Sequence, residues 1–257
     1  SGLTSITLPS SLRSIGMYAF DGCSGLETLE YKGTIEQWLS IEFGYYWMSD
    51  DSHTFIVNGA ELTNLVVPEG VTSIGDSAFY GCSGLTGKLV IPEGVTSIDH
   101  SAFFYCSGLT EVDLSQCTNL TSIGGEAFRN CSGLTEVNLS NCTSLTSIGD
   151  WAFSYCSRLT SITLPSSLIS IGDHAFDSCS GLTEIDLSNC TSLISIGSGV
   201  FYDCINLARV IFPNTTGWYR TTDDAATDGD SMDMSDPEQN ATWLTGTYRN
   251  YYFKRNA

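Results

Sequence analysis

Apolar residues return along this chain at a nearly constant interval, one too short for long helices. Units opened at their first leucine begin at Leu3, Leu26, Leu62, Leu85, Leu109, Leu134, Leu159, Leu182 and Leu207, with spacings of 23, 36, 23, 24, 25, 25, 23 and 25. In the unit that runs from Leu159 to Gly181 the apolar positions are Leu159, Ile162, Leu164, Leu168, Ile171, Ala175, Phe176 and Cys179. Alternation toward Leu164 predicts a half-buried strand, which Pro165 or the Ser-Asn-Cys-Thr variant then turns. Leu168–Ile171 predicts a second short strand, and Ala175-Phe176 a helical turn on the return side.

No such unit can close a core by itself. Stacking does so, because equivalent side chains of successive turns form ladders that exclude water. Phe20, Phe79, Phe103, Phe128, Phe153, Phe176 and Phe201 are expected to form one ladder. At about 4.8 Å per strand, nine turns predict a rod or arc on the order of 40 Å long.

Leu62-Thr63-Asn64-Leu65-Val66-Val67-Pro68, followed by Val71-Thr72-Ser73-Ile74-Gly75 and Ala78-Phe79-Tyr80-Gly81-Cys82, resembles the BspA-like, or treponemal-type, leucine-rich repeats. The likeness covers residues 1 to 213 and departs where Val200 replaces the alanine and where the second unit is interrupted. It implies a leucine-rich-repeat solenoid: a right-handed superhelix, strand-rich with short helical turns, with a parallel concave sheet. It also implies secreted or surface-anchored bacterial proteins that bind host proteins or other cells, hence an adhesion role and an extracellular or cell-surface location. Ser1-Gly2-Leu3 enters mid-repeat, so earlier turns and an export signal are expected upstream.

Two segments leave the period. Between about residues 31 and 61, Thr34-Ile35-Glu36-Gln37 reads as a capping box before a helix from Ile35 to Ile41, and Asn58-Gly59 as a hairpin turn. The intervening Phe43, Tyr45, Tyr46 and Trp47 fit either packing against the stack or, if exposed beside Asp50 and Asp51, a ligand contact. Residues 214 to 257 are expected to cap the last turn, mostly with strands, and to carry an exposed acidic loop from Thr221 to Asn240.

Composition narrows the partners. A net charge of −19 with ten Lys and Arg argues against nucleic acid and against anionic membrane surfaces. No 18-residue apolar run is present for membrane insertion. Of the ten cysteines, Cys23, Cys82, Cys106, Cys131, Cys156, Cys179 and Cys204 each follow the repeat phenylalanine by three, while Cys117, Cys142 and Cys190 lie in turns. Register favours a row of buried free thiols over cross-turn disulfides or a metal site, and no Cys-x-x-Cys pair supports the last.

Catalysis needs convergent groups at defined spacing, and the sequence offers none. His53, His100 and His174 read as surface residues, and neither an enzyme activity nor a cofactor is expected. Binding has a clearer address on the outward positions of the first strand. Glu27, Glu111, Glu136, Ser161, Glu184 and Arg209 make one row; Glu30, Asp113, Asn138, Thr163 and Asp186 make the next. The candidate binding residues are therefore Glu111, Asp113, Glu136, Asn138, Ser161, Thr163, Glu184 and Asp186, an acidic, hydroxyl-lined stripe suited to a basic protein partner or to solvation alone. Asp228, Asp230 and Asp233 carry a weaker likeness to a calcium loop without its downstream Gly and Glu. The expectation is a monomeric protein-binding module; the rival reading is a spacer without a specific ligand.

Overall fold

A computed structural model describes residues 2–48 and 53–255; Asp50 and Asp51 lie outside them. The first turns contain β1 (Ser5–Leu8), β2 (Ser14–Ile15), β3 (Thr28–Tyr31), α1 (Ile35–Leu39), β4 (Glu42–Phe43), β5 (Thr54–Val57) and β6 (Ala60–Glu61). Each regular turn then supplies two strands. The first strands are β7 (Leu65–Val66), β9 (Lys88–Val90), β11 (Glu111–Asp113), β13 (Glu136–Asn138), β15 (Ser161–Thr163), β17 (Glu184–Asp186) and β19 (Arg209–Ile211). They alternate with β8 (Ser73–Ile74), β10 (Ser97–Ile98), β12 (Ser122–Ile123), β14 (Ser147–Ile148), β16 (Ser170–Ile171) and β18 (Ser195–Ile196). The remainder is β20 (Trp218–Thr221), β21 (Asp230–Met232), α2 (Pro237–Thr242), a π-helical turn over Trp243–Thr247, and β22 (Tyr252–Arg255).

Every pairing between consecutive turns is parallel and in repeat register, so the chain is a β-solenoid. Leu65, Leu89, Val112, Val137 and Ile162 align on the first-strand sheet, and Ile74, Ile98, Ile123, Ile148, Ile171 and Ile196 on the second. All of them face the core and are buried. Each such side chain stabilises the fold by about 1.5–3 kcal/mol relative to exposure.

The return side is built from hydrogen-bonded turns rather than helix. Ala78 N–H donates to Gly75 O, Tyr80 to Ser77 O and Cys82 to Phe79 O, each closing a local turn. The intervening N–H groups reach the next turn instead: Ser77 to His100 O, Phe79 to Ala102 O and Gly81 to Phe104 O, at 2.7–2.9 Å. This alternation satisfies buried backbone donors without a helix or a strand. It holds the residues two before and two after the phenylalanine at positive φ, as at Trp151 (59°) and Tyr155 (60°) around Phe153.

Phe79, Phe103, Phe128, Phe153, Phe176 and Phe201 form a parallel stack, with ring centroids 5.3–5.7 Å apart. Phe20 does not join it face to face. Its ring meets Trp47 edge-on, and contact passes through Trp38 and Phe55 to Phe79. The 36-residue spacing accounts for this. β4 pairs with β2 and β5 with β3 in parallel register, and Phe20 bridges to Met48, so residues 31–57 complete a turn of the stack, with Met48 at the phenylalanine's position and Trp47 at the alanine's. The Thr34–Gln37 capping box forms, and α1 ends at Leu39. β5 then folds back on β6 through Asn58 and Gly59, both at positive φ.

At the other end, β22 runs antiparallel along β18, with β20 and β21 beyond it. The segment from Thr221 to Asn240 is more ordered than a loop: it holds β21 and the start of α2, where Asp236 accepts from Glu238 and Gln239 N–H ahead of Pro237.

All ten cysteines are free thiols. Cys106, Cys131, Cys156, Cys179 and Cys204 donate S–H to the phenylalanine carbonyl of the preceding turn (Phe79, Phe103, Phe128, Phe153 and Phe176) at 3.0–3.2 Å. Burial raises their pKa values, Cys156 and Cys204 to about 12, and withholds the thiolate. Only Cys23 is partly exposed. In the native protein, a thiol reagent such as Ellman's is therefore expected to titrate Cys23 and leave the other nine unreacted until denaturant is added; fast native labelling of several thiols would contradict this packing. Phe128→Ala should cost about 3–5 kcal/mol in chemical denaturation, and a loss below about 1 kcal/mol would mean the stack does not carry the core.

Candidate functional site

Glu111, Glu136 and Ser161 are direct cross-strand partners on β11, β13 and β15, and Asn138 pairs with Thr163. Val112, Val137 and Ile162 point inward between them, so the alternating side chains project outward. Glu184 and Asp186 lie on β17, which is hydrogen-bonded to β19 in a separate two-stranded sheet.

The two outward rows have different chemistry. At the second row, Asp113 accepts from Ser115 N–H, Asn138 from Ser140 N–H and Asp186 from Ser188 N–H, at 2.8–3.0 Å. These side chains fasten the corner after each strand, as short Asx side chains do. Glu111, Glu136 and Glu184 have no such duty. Neighbouring glutamates one strand apart repel one another, at a cost water and salt reduce.

Basic residues close both ends of the row. Lys88 Nζ lies 2.8 Å from both Glu111 and Asp113, and Arg209 lies 2.7 Å from Glu184. Glu136, between them, has no ion pair among the described residues. A concavity of about 350 Å³ opens here, lined by Lys88, Glu111, Val112, Asp113, Leu114, Ser115, Glu136, Asn138 and Asn141. Hydrogen bonding to Lys88 holds the Asp113 carboxyl down at about 2, and the Asp113 and Glu111 carboxylates push Lys88 up to about 12.

Lys88 escapes a count from the opening leucine because Leu85-Thr86-Gly87-Lys88 has one residue more than Leu109-Thr110-Glu111. Alignment on the inward residues, Leu89 with Val112, places Lys88 opposite Glu111. Glu27 is out of the row for a different reason: Leu26-Glu27-Thr28-Leu29 matches Leu109-Thr110-Glu111-Val112 without an extra residue, so Thr28 takes the place equivalent to Glu111 and Glu27 that of Thr110.

The histidines are not uniformly at the surface. His53 is buried, 2% exposed, with Nε2 3.6 Å from Cys82 Sγ, because the returning chain there packs beneath the next turn. His174 stacks on Trp151 at 4.1 Å, and His100 lies 3.7 Å from Glu126. The calcium-loop aspartates are not brought together: Asp230 is held by Arg220 and Asp233 accepts from Ser235 N–H. Among the described residues no group of three His, Cys, Asp or Glu is placed to hold a metal. No helix there is long and apolar enough to cross a membrane.

Parallel turns, leucine and isoleucine ladders and a phenylalanine stack define a leucine-rich-repeat solenoid. The chain belongs to the family described as the BspA type leucine rich repeat region, whose model matches residues 1–46, 51–145 and 121–220 in six copies. A leucine rich cell surface protein of Faecalibacterium prausnitzii has a similar structure, at 22% identity and a TM-score of 0.51, over 92% of this chain and 55% of that one. The chain thus spans just over half of that protein's length. A leucine rich repeat protein of T. pallidum matches at 24% identity over 80% of this chain and 79% of that one, with a TM-score of 0.44. One from Eubacterium ventriosum matches at 20% identity over 81% and 60%, also with a TM-score of 0.44. No curated protein matches the chain.

The Lys88 contacts are tested by an NMR titration of the Asp113 carboxyl, expected to show a midpoint near 2 that moves back toward 3.8 in Lys88→Gln. A depressed carboxylate stabilises the fold above its unfolded value, and that contribution disappears as pH falls from 3.8 toward 2. At this exposure it is worth less than about 1 kcal/mol. An unchanged midpoint in the variant would show that Lys88 does not hold Asp113.

Proposed function

We propose that this chain is a surface-displayed, adhesin-like module that binds a protein through its first-strand face, with Glu111, Asp113, Glu136, Asn138, Ser161, Thr163, Glu184 and Asp186 as the contact rows. The observation that carries the reading is the outward glutamate row, where Glu136 has no ion pair among the described residues and lines a concavity. Stacked like charges are retained there although Ser161 fills the same position one turn away. A partner's ammonium or guanidinium group would relieve that repulsion and be steered to the face by the charge of −19.

Family membership supports binding rather than catalysis as the role. The description of the Faecalibacterium prausnitzii relative as a cell surface protein supports an extracellular or cell-surface location. Unreactive buried thiols are compatible with an oxidising exterior. Asp113, Asn138 and Asp186 contribute mainly by fixing the corners that frame the row.

Binding to host extracellular-matrix and plasma proteins should be measured for the wild type and for Glu111→Gln/Glu136→Gln/Glu184→Gln. The variant is expected to bind at least about tenfold more weakly, and wild-type binding should weaken with added salt. Equal affinity of both proteins, or no binding by either, favours a spacer and removes the acidic-row reading.

A further inference from the structure

The ladder of second strands is interrupted once, between β4 and β8. Along the rest of it Glu42 N–H donates to Arg13 O, Thr96 to Thr72 O, Thr121 to Thr96 O and Thr146 to Thr121 O, and the N–H groups of Asp99, Gly124, Gly149, Gly172 and Gly197 repeat the bond at the far end of each strand. Thr72 and Gly75 hold the same places in the third turn and make neither bond among the described residues, where no backbone bond joins β8 to β4. The space beside them is open. A Cβ on Gly124, Gly149, Gly172 or Gly197 would fall 2.4–2.7 Å from an atom of the preceding turn, whereas one on Gly75 would meet nothing within 4 Å. Buried side chains fix the two sides of this gap. The Trp38 and Trp47 indole N–H groups donate to Ala78 O and Ser77 O, both at 2.8 Å.

A strand edge with free backbone groups beside an open space is a template for a further strand. A cavity of about 370 Å³ opens into the gap, between Glu36, Leu39 and Ser40 at the end of α1 and Glu69, Val71 and Ser73 across from them. Thr72 is exposed, and Ser73 and Gly75 are half-buried, so the edge is within reach of solvent. Charge narrows the occupant. Glu36 and Glu69 stand on opposite sides of the cavity, Glu42 is exposed on β4, and no Lys or Arg lines the opening. An incoming segment meets backbone groups along one edge and carboxylates at the rim, in a molecule of net charge −19, and Lys or Arg side chains complement that setting. A second copy of this chain would set the same carboxylates against each other.

We propose that the gap between β4 and β8 receives an extended basic segment of a partner protein, which adds to β8 as a strand. The gap is independent of the glutamate row, and the row is silenced for the test by taking Glu111→Gln/Glu136→Gln/Glu184→Gln as the starting protein. Acetyl-Lys-Val-Lys-Val-Lys-amide, the same peptide N-methylated at every backbone amide, and acetyl-Glu-Val-Glu-Val-Glu-amide are titrated in, with amide shifts and hydrogen exchange followed by NMR. The lysine peptide is expected to shift Thr72, Ser73 and Gly75 saturably and to slow exchange of the Gly75 N–H at least about tenfold. The N-methylated and glutamate peptides should leave these amides in place. Gly75→Leu, whose side chain would occupy the open space, should abolish the shifts, and Glu36→Gln/Glu69→Gln should weaken binding about threefold or more. Asp99, at the equivalent place one turn on, shows that the repeat accommodates a side chain there, and unchanged amide shifts from Phe103 to Phe201 report that each variant is folded. Binding that survives N-methylation or Gly75→Leu, equal binding of the glutamate peptide, shifts that lie elsewhere than Thr72 to Gly75, or the absence of any saturable shift overturns the proposal.

Discussion

A turn of 23 to 25 residues contributes one phenylalanine, a cysteine and a few leucines and isoleucines to an interior that only neighbouring turns can close. Mutual dependence of this kind fixes nearly everything else in the molecule. It requires each backbone N–H on the return side to find a partner, and the alternation of local and cross-turn bonds meets that requirement. It requires small side chains near the phenylalanine stack, where the cysteines fit and donate to carbonyls of the turn before. It also holds outward side chains about 4.8 Å apart whatever their charge, so like charges on successive turns are kept close enough to repel.

Much of this was legible because burial imposes a period on residue type. The inward Leu, Ile, Phe and Cys positions are set by contact with identical neighbours, and they recur in the sequence as they recur in space. The capping box at Thr34 and Gln37 and the turn at Asn58-Gly59 could also be read, since local chemistry alone decides them. Register against a distant strand could not. Lys88 is displaced by one residue, and only its pairing with Glu111 reveals its place in the row.

The remaining differences share a physical origin. The return side resembles a helical turn because it needs Ala-Phe spacing, yet its left-handed positions accept Trp, Tyr, His, Glu and Ser alike and so leave no glycine signature. The segment after Tyr31 looked like an interruption because Trp38, Trp47 and Phe55 do the work that a phenylalanine does elsewhere. Its aromatic cluster divides, with Trp47 buried and Tyr45 and Tyr46 outward, a distinction that depends on which side of the chain meets the next turn. Burial of His53 comes from the same packing.

The alternating bonds of the return side have a mechanical meaning. Backbone hydrogen bonds join each regular turn to the next along its two strands and its return segment. Tension applied between the ends would therefore be relieved by peeling the outermost turn, while interior turns kept both neighbours. Each turn released would lengthen the chain by about 80 Å, so a stack of this design yields in steps, and a protein held between two surfaces could extend without losing its remaining folded face.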